Sequence, residues 1–364
     1  MERDASKEDY SKMSDFEPYT EAILELVLPI IDEKHKIYEG LFRNLQNFSE
    51  PFTSDLITSV YTDVITNRQT LEQSAEQGIH LELLEQYSRQ IVSLRFLEVI
   101  SSLKLTETED LFAFTKRRTL EALQAIKEAE KRLKETLEKI NTYQGLEWLI
   151  FAYNFLRNAF ESYASAKFVD GSLLNCLFAA MVSIHEAKTF RSFLDSVLKR
   201  NEGGRKISLK AFADVAKEIA ETAKGIFASV GEEHINNEEE ERLHTIIKQK
   251  TIQDLEIALK NQNYLLAINL SHQIIFDSSY IIHWGISLPQ SYIRQQVEAK
   301  ISEFMRGIQE IRKRGKWDCI LPLYFFEKSL VSGSPPHIIS AVNTSGVIMG
   351  ILERDIKKPV LSYF

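Results

Sequence analysis

Residues 81–103 read LELLEQYSRQIVSLRFLEVISSL, and no other stretch constrains the architecture as tightly. Val92, Phe96, Val99 and Leu103 recur at three- and four-residue spacing, the period of one helical face. Ile91, Leu94, Leu97 and Ile100 cover most of the remaining circumference. A helix that is apolar nearly all round belongs inside a bundle. Arg89 and Arg95 flank the main stripe, placed to lay their stems on apolar neighbours and keep their heads in water.

Working outward, Tyr19 to Leu45 carries apolar residues at helical spacing, with Pro29 expected to bend or split the helix. Thr53 or Ser54 is placed to cap a helix reaching about Ala75. On the other side, Thr106 and Glu109 form a capping box. It precedes FAFTKRRTLEALQAIKEAEKRLKETLEKI, residues 112–140. Glu/Lys pairs three and four residues apart support an exposed helix there, and its length suits a connector between two halves. Beyond it come helical hairpins, with breaks at FVDGS, NEGGRK and KNQN and a stop at Pro289. Their layout has something of a tetratricopeptide array, without a fixed period of about 34 residues.

The whole chain supports this pattern. It has 364 residues but only 14 Gly and 8 Pro, too few turn formers for a sandwich or barrel. The expected fold is all-α: an N-terminal helical bundle, a long connector helix and a C-terminal array of irregular helical hairpins. The expected division is a flexible tail at 1–17, the bundle at 18–111, the connector at 112–145, the hairpin domain at 146–316 and a segment at 317–364 made irregular by Pro322, SGSPPH and Pro359. Charge divides unevenly. Residues 1–145 hold 27 acidic and 18 basic side chains, whereas residues 146–364 hold 25 and 26. Within the first hundred residues the ratio is 19 to 9. A net charge of −8 argues against a generally basic, non-specific nucleic-acid binder.

Chemistry-bearing patterns are sparse. Two cysteines, Cys176 and Cys319, cannot form a disulfide framework or a four-cysteine metal site. His272 and His283 lie three turns apart on one face, about 16 Å along the axis, too far to share a metal. His185–Glu186 lacks the second histidine of a zinc-protease helix, and His234 and His244 flank an acidic run. No phosphate-binding glycine loop or nucleophile elbow is present, and neither is the Arg–His pattern of helical ribonucleases. The expectation is therefore no catalytic residues, no cofactor, no metal, and no small-molecule substrate. The polar start of the chain and the lack of a long apolar run predict no secretory leader and no membrane span, hence a reducing, cytoplasmic setting.

Basic clusters offer a nucleic-acid alternative: Lys116, Arg117, Arg118, Lys127, Lys131, Arg132 and Lys134 on the connector, and Arg312, Lys313, Arg314 and Lys316 beside Trp317. Cations next to an aromatic suit phosphate contact with base stacking; the plainer reading is a solvated helix end. The amphipathic helix Ile207 to Val230 mixes Lys with Glu and Asp on its polar face, which favours core packing over a membrane surface. The terminal KKPVLSYF is similar to a sliding-clamp docking box, with Val360, Tyr363 and Phe364 at the apolar positions and Lys357 in place of the glutamine.

Residues 38–115 resemble the helical domain of the archaeal GINS family, subunits of a complex that joins the replicative helicase. The elements carrying the likeness are YEGLFRNLQNFSEPFTSDLITSVY, LLEQYSRQIVSLRFLEVISSL and KLTETEDLF. Phe52 and Asp55 fall where the family has a Phe and a following acid, Arg89 and Arg95 match its arginines, and Leu111 matches its late Leu. Thr53 departs from the usual aromatic, and the family's small β-rich domain is not evident. The resemblance implies a non-catalytic, oligomeric scaffold subunit that meets protein partners through Phe52, Arg89, Arg95 and Phe96. Two other readings are a helical-repeat adaptor or effector unrelated to replication, and a nucleic-acid-binding or nuclease-like helical protein.

Overall fold

The computed structural model describes residues 21–45, 55–102, 108–167, 172–202, 206–284, 299, 301–310, 318–332 and 335–357. All of its regular elements are helical, as expected. In order they are α1 (Glu21–Leu45), α2 (Asp55–Glu76), α3 (His80–Ser102), α4 (Thr108–Leu137), α5 (Tyr143–Ala166), α6 (Leu173–Asn201), α7 (Leu209–Ala228), α8 (Glu238–Ile246), α9 (Ile252–Lys260), α10 (Tyr264–Trp284), α11 (301–310), α12 (Ile320–Ser332) and α13 (Pro335–Lys357). A π-helical turn, Ile247–Thr251, joins α8 to α9. Among the described residues, extended pairing is limited to an isolated antiparallel bridge between Thr142 and Lys206. None of the described helices is long and apolar enough to cross a membrane.

The chain forms two compact units, and neither is a continuous stretch. The amino-side unit comprises Glu21–Lys139 and Ala152–Leu198; the carboxy-side unit comprises Ile140–Phe151 and Lys199–Phe364. In this division α5 and α6 each contribute to both units. The α4 helix lies wholly in the amino-side unit and buries Ala122, Ala125, Ile126 and Ala129, a helical stripe of mostly small residues. Within the described part of 317–364, α12 and α13 pack together. Pro322 lies in the first turn of α12, and Pro335 and Pro336 begin α13. The missing N–H of a proline costs nothing in that turn, so these residues start helices where the sequence suggested breaks.

In the amino-side unit α3 is packed by α1 and α2, and its residues Leu81, Leu84, Ile91, Phe96 and Leu97 are fully buried. α1 continues through Pro29 without interruption. Gly78, at φ 68°, closes α2. Ile79 N–H donates to Ser74 C=O at 3.0 Å and Gly78 N–H to Ala75 C=O at 3.2 Å. That pair of bonds is the Schellman closure, which needs a left-handed residue. In the carboxy-side unit Gln262 takes the same role at φ 56° between α9 and α10. Asn263 completes that closure by donating to Ala258 C=O at 2.8 Å, and its side chain caps α10 by accepting from Leu266 N–H at 3.2 Å. Four residues, KNQN, therefore end one helix and begin the next.

The core of this second unit gathers Ala220, Ala223, Ile247, Leu255, Ala258, Ala267 and Ile274 from α7, the π-turn, α9 and α10. Ser208 caps α7 by accepting from Ala211 N–H at 3.1 Å. Ser208→Ala is expected to lower stability by about 1 kcal/mol, read as a shift of the urea midpoint at constant slope.

Candidate functional site

The solvent face of α4 is the most distinctive surface of the amino-side unit. Phe112 and Leu120 are 57 % and 60 % exposed, about 12 Å apart along the helix axis. Lys116, Lys127, Lys131 and Lys134 share this arc and are exposed, as is Glu130. Among the described residues none of these lysines has an ion-pair partner.

The other exposed flank of α4 is acidic and is neutralised by arginines. Arg118 holds Glu121 at 2.7 Å, and Arg132 holds Glu135 at 3.3 Å and Asp195 of α6 at 3.0 Å. Arg191 of α6 holds Glu128. The Glu128 carboxyl lies below its ordinary pKa, first through the hydrogen bond from Gln124 and then through Arg191. Arg117 and Arg118 also sit over the Phe114 ring, 5.0 and 5.1 Å from its centroid. Of the basic residues expected to meet nucleic acid, Arg118 and Arg132 are thus engaged within the unit, while Lys116 and Arg117 are exposed.

A second cluster is buried where α1, α3 and α6 meet. Lys34, only 8 % exposed, donates to Ser88 Oγ at 2.8 Å and to Thr189 Oγ1 at 3.4 Å. Burial lowers its pKa to about 8, opposed by the negative charges of Glu186 and Glu33. Glu186 is buried too, and its pKa rises to about 8, first through desolvation and then through Glu85. Burial pushes the neighbouring His185 down to about 3, with Lys34, Arg95 and Lys188 adding to the effect; its imidazole is neutral at ordinary pH.

The expected partner-binding set divides here. Arg89 is ion-paired to Glu85, Arg95 is exposed, and Phe96 is fully buried in edge-to-face contact with Phe178. Phe96 is therefore a core residue, on a helix that also buries Ile91, Val92, Leu94, Leu97 and Ile100. Lys34 and Thr189 escaped the sequence reading, and Glu186 entered it only as the neighbour of His185: the partners of Lys34 lie 54 and 155 residues away.

The carboxy-side unit has its own polar centre. Asp318, 3 % exposed, accepts from Trp148 Nε1 at 2.9 Å and from Arg200 Nε and Nη2 at 2.8 and 2.6 Å. It immediately precedes Cys319, which lies in the left-handed region at φ 55°. The side chain of Glu147, one residue before Trp148, accepts from Leu321 N–H at 3.3 Å. Nearby, a cavity of about 30 Å³ is lined mainly by aliphatic side chains such as Ile150, Val215 and Ile268, with His272 at its wall. Burial holds His272 neutral, at a pKa of about 3. This volume takes a single small molecule of water's size.

Among the described residues no group of three or more His, Cys, Asp or Glu side chains is placed to hold a metal ion. Phe52, the cluster Arg312, Lys313, Arg314 and Lys316, and the tail residues Val360, Tyr363 and Phe364 lie outside the described residues. No family model, no curated protein and no solved structure matches this chain.

Proposed function

We propose that the chain is a non-catalytic interaction subunit that holds a macromolecular partner on the solvent face of α4. The observation that carries this reading is the exposure of Phe112 and Leu120 on a helix whose opposite face is packed. Each side chain of this size gains roughly 1.5–3 kcal/mol on full burial. Contact surfaces gather exposed apolar side chains rather than scatter them, and these two share one helix face. The likeness of residues 38–115 to archaeal GINS helical domains makes sister subunits of a helicase-associated complex the first partners to assay.

Affinity purification of the full chain, beside its Phe112→Asp/Leu120→Asp variant, tests the reading. Both side chains face water, so circular dichroism should be unchanged while the co-purifying partner falls by about tenfold or more, the effect of about 1.4 kcal/mol. An identical partner set with both chains would remove α4 from the interface.

A further inference from the structure

Resting on that reading, we propose that the partner segment docked on α4 is an acidic amphipathic helix of another protein. Its apolar side chains would cover Phe112 and Leu120, and its carboxylates would meet Lys127, Lys131 and Lys134.

The charge arrangement on α4 argues for this partner. The exposed carboxylates Glu121, Glu128 and Glu135 are neutralised in place by Arg118, Arg191 and Arg132. The lysines of the adjoining arc are left without partners among the described residues. Along the helix the apolar contacts lie toward one end and most of the cations toward the other. Phe112 and Leu120, with Lys116 between them and half-buried Leu123 beside them, occupy the first half, and Lys127, Lys131 and Lys134, with Glu130 among them, occupy the second. A rod with leucines toward one end and acids toward the other complements that order, and an amphipathic helix lying along α4 supplies it.

A nucleic acid fits less well for two reasons. Guanidiniums suit two-pronged phosphate contact, and Arg118, Arg132 and Arg191 are already held by carboxylates, which leaves Arg117 as the exposed arginine of α4. Of the two exposed apolar side chains, Leu120 offers no π-face on which a base can stack, so Phe112 alone would serve.

The test is anisotropy titration of the full chain with a labelled helical peptide of about 20 residues, with leucines on one face at helical spacing and glutamates toward one end. A copy with lysines for glutamates and a single-stranded oligonucleotide serve as competing probes. The acidic peptide is expected to bind best and to weaken as salt rises from about 0.1 M to about 0.5 M. Lys127→Glu/Lys131→Glu/Lys134→Glu should weaken it about tenfold or more and favour the lysine peptide. Phe112→Ser/Leu120→Ser should weaken both peptides. Failure of the acidic peptide to bind, insensitivity to the lysine reversals, or tighter binding of the oligonucleotide would overturn the proposal. If the purification experiment still shows a partner lost on Phe112→Asp/Leu120→Asp, α4 stands as the docking face and only the partner's chemistry falls. If that partner is retained as well, both readings fall.

Discussion

Asp318→Ala is expected to destabilise the carboxy-side unit by about 3 kcal/mol. The carboxylate is almost fully buried and accepts three N–H bonds, two from Arg200 and one from Trp148. Alanine leaves the indole donor and the guanidinium without these acceptors. Each unsatisfied buried donor costs about 1–3 kcal/mol. The Arg200 side chain keeps 26 % of its surface in water, which holds the total toward the low end for a broken buried ion pair. Trp148→Phe removes only the indole donor and should cost about 1 kcal/mol as a hydrogen bond, plus the packing lost with the larger ring. Asp318→Asn should fall between, since its amide turns a donor toward the guanidinium. Urea unfolding followed by tryptophan fluorescence reads all three. A loss below about 1 kcal/mol for Asp318→Ala would show that the triad does not hold this unit together.

The second large effect is a dependence of stability on pH arising from Lys34 and Glu186. Glu186 has its folded pKa raised from 4.5 to about 8. Its favourable contribution is complete below pH 4.5 and is lost as pH rises through 8, at up to about 1.4 kcal/mol per pH unit. Lys34 has its folded pKa lowered from 10.5 to about 8. Its contribution is complete above pH 10.5 and is lost as pH falls through 8. Together the two groups place a minimum of stability near pH 8, where each has lost most of its contribution. Besides the pair itself, the charges that set this balance are Glu33 on α1 and Glu85, Arg89 and Arg95 on α3.

Glu186→Gln keeps the shape and removes the titration, so it should flatten the acid side. It should also raise stability at pH 8 by a few kcal/mol, since each pH unit separating the folded and unfolded pKa is worth about 1.4 kcal/mol. Lys34→Met should flatten the alkaline side. Urea midpoints at pH 5, 7, 8 and 10 decide the matter: if wild type and Glu186→Gln run parallel across that range, the buried carboxyl does not titrate as described.

Much of the fold was legible in local sequence. The all-round apolar character of residues 81–103 placed α3 inside a bundle, and its leucines and isoleucines are buried there. Legibility failed where the signal was non-local or ambiguous. The alanines of α4 are weak hydrophobic markers, so the charged residues around them stood out and the buried stripe did not. The prolines at 322, 335 and 336 read as breakers because their position within a first turn is known only once the helix start is known. At the candidate site, Lys116, Lys127, Lys131 and Lys134 stood out as basic residues. Phe112 and Leu120 did not, since an apolar residue on an amphipathic pattern is assigned to the core by default. The buried contacts of Lys34 and the Asp318 triad join residues 54 to 170 positions apart, beyond the reach of any local window.

The sharing of α5 and α6 between units bears on how the protein is made. As the nascent polypeptide leaves the ribosome, the amino-side unit must wait for Ala152–Leu198 before its interior can close. By then Ile140–Phe151 has already emerged, carrying Trp148 and other apolar side chains that belong to a unit whose remainder is still untranslated. Domains that finish folding late expose such surfaces to aggregation and chaperone capture. A chain cut short at residue 198 would keep that hazard permanently.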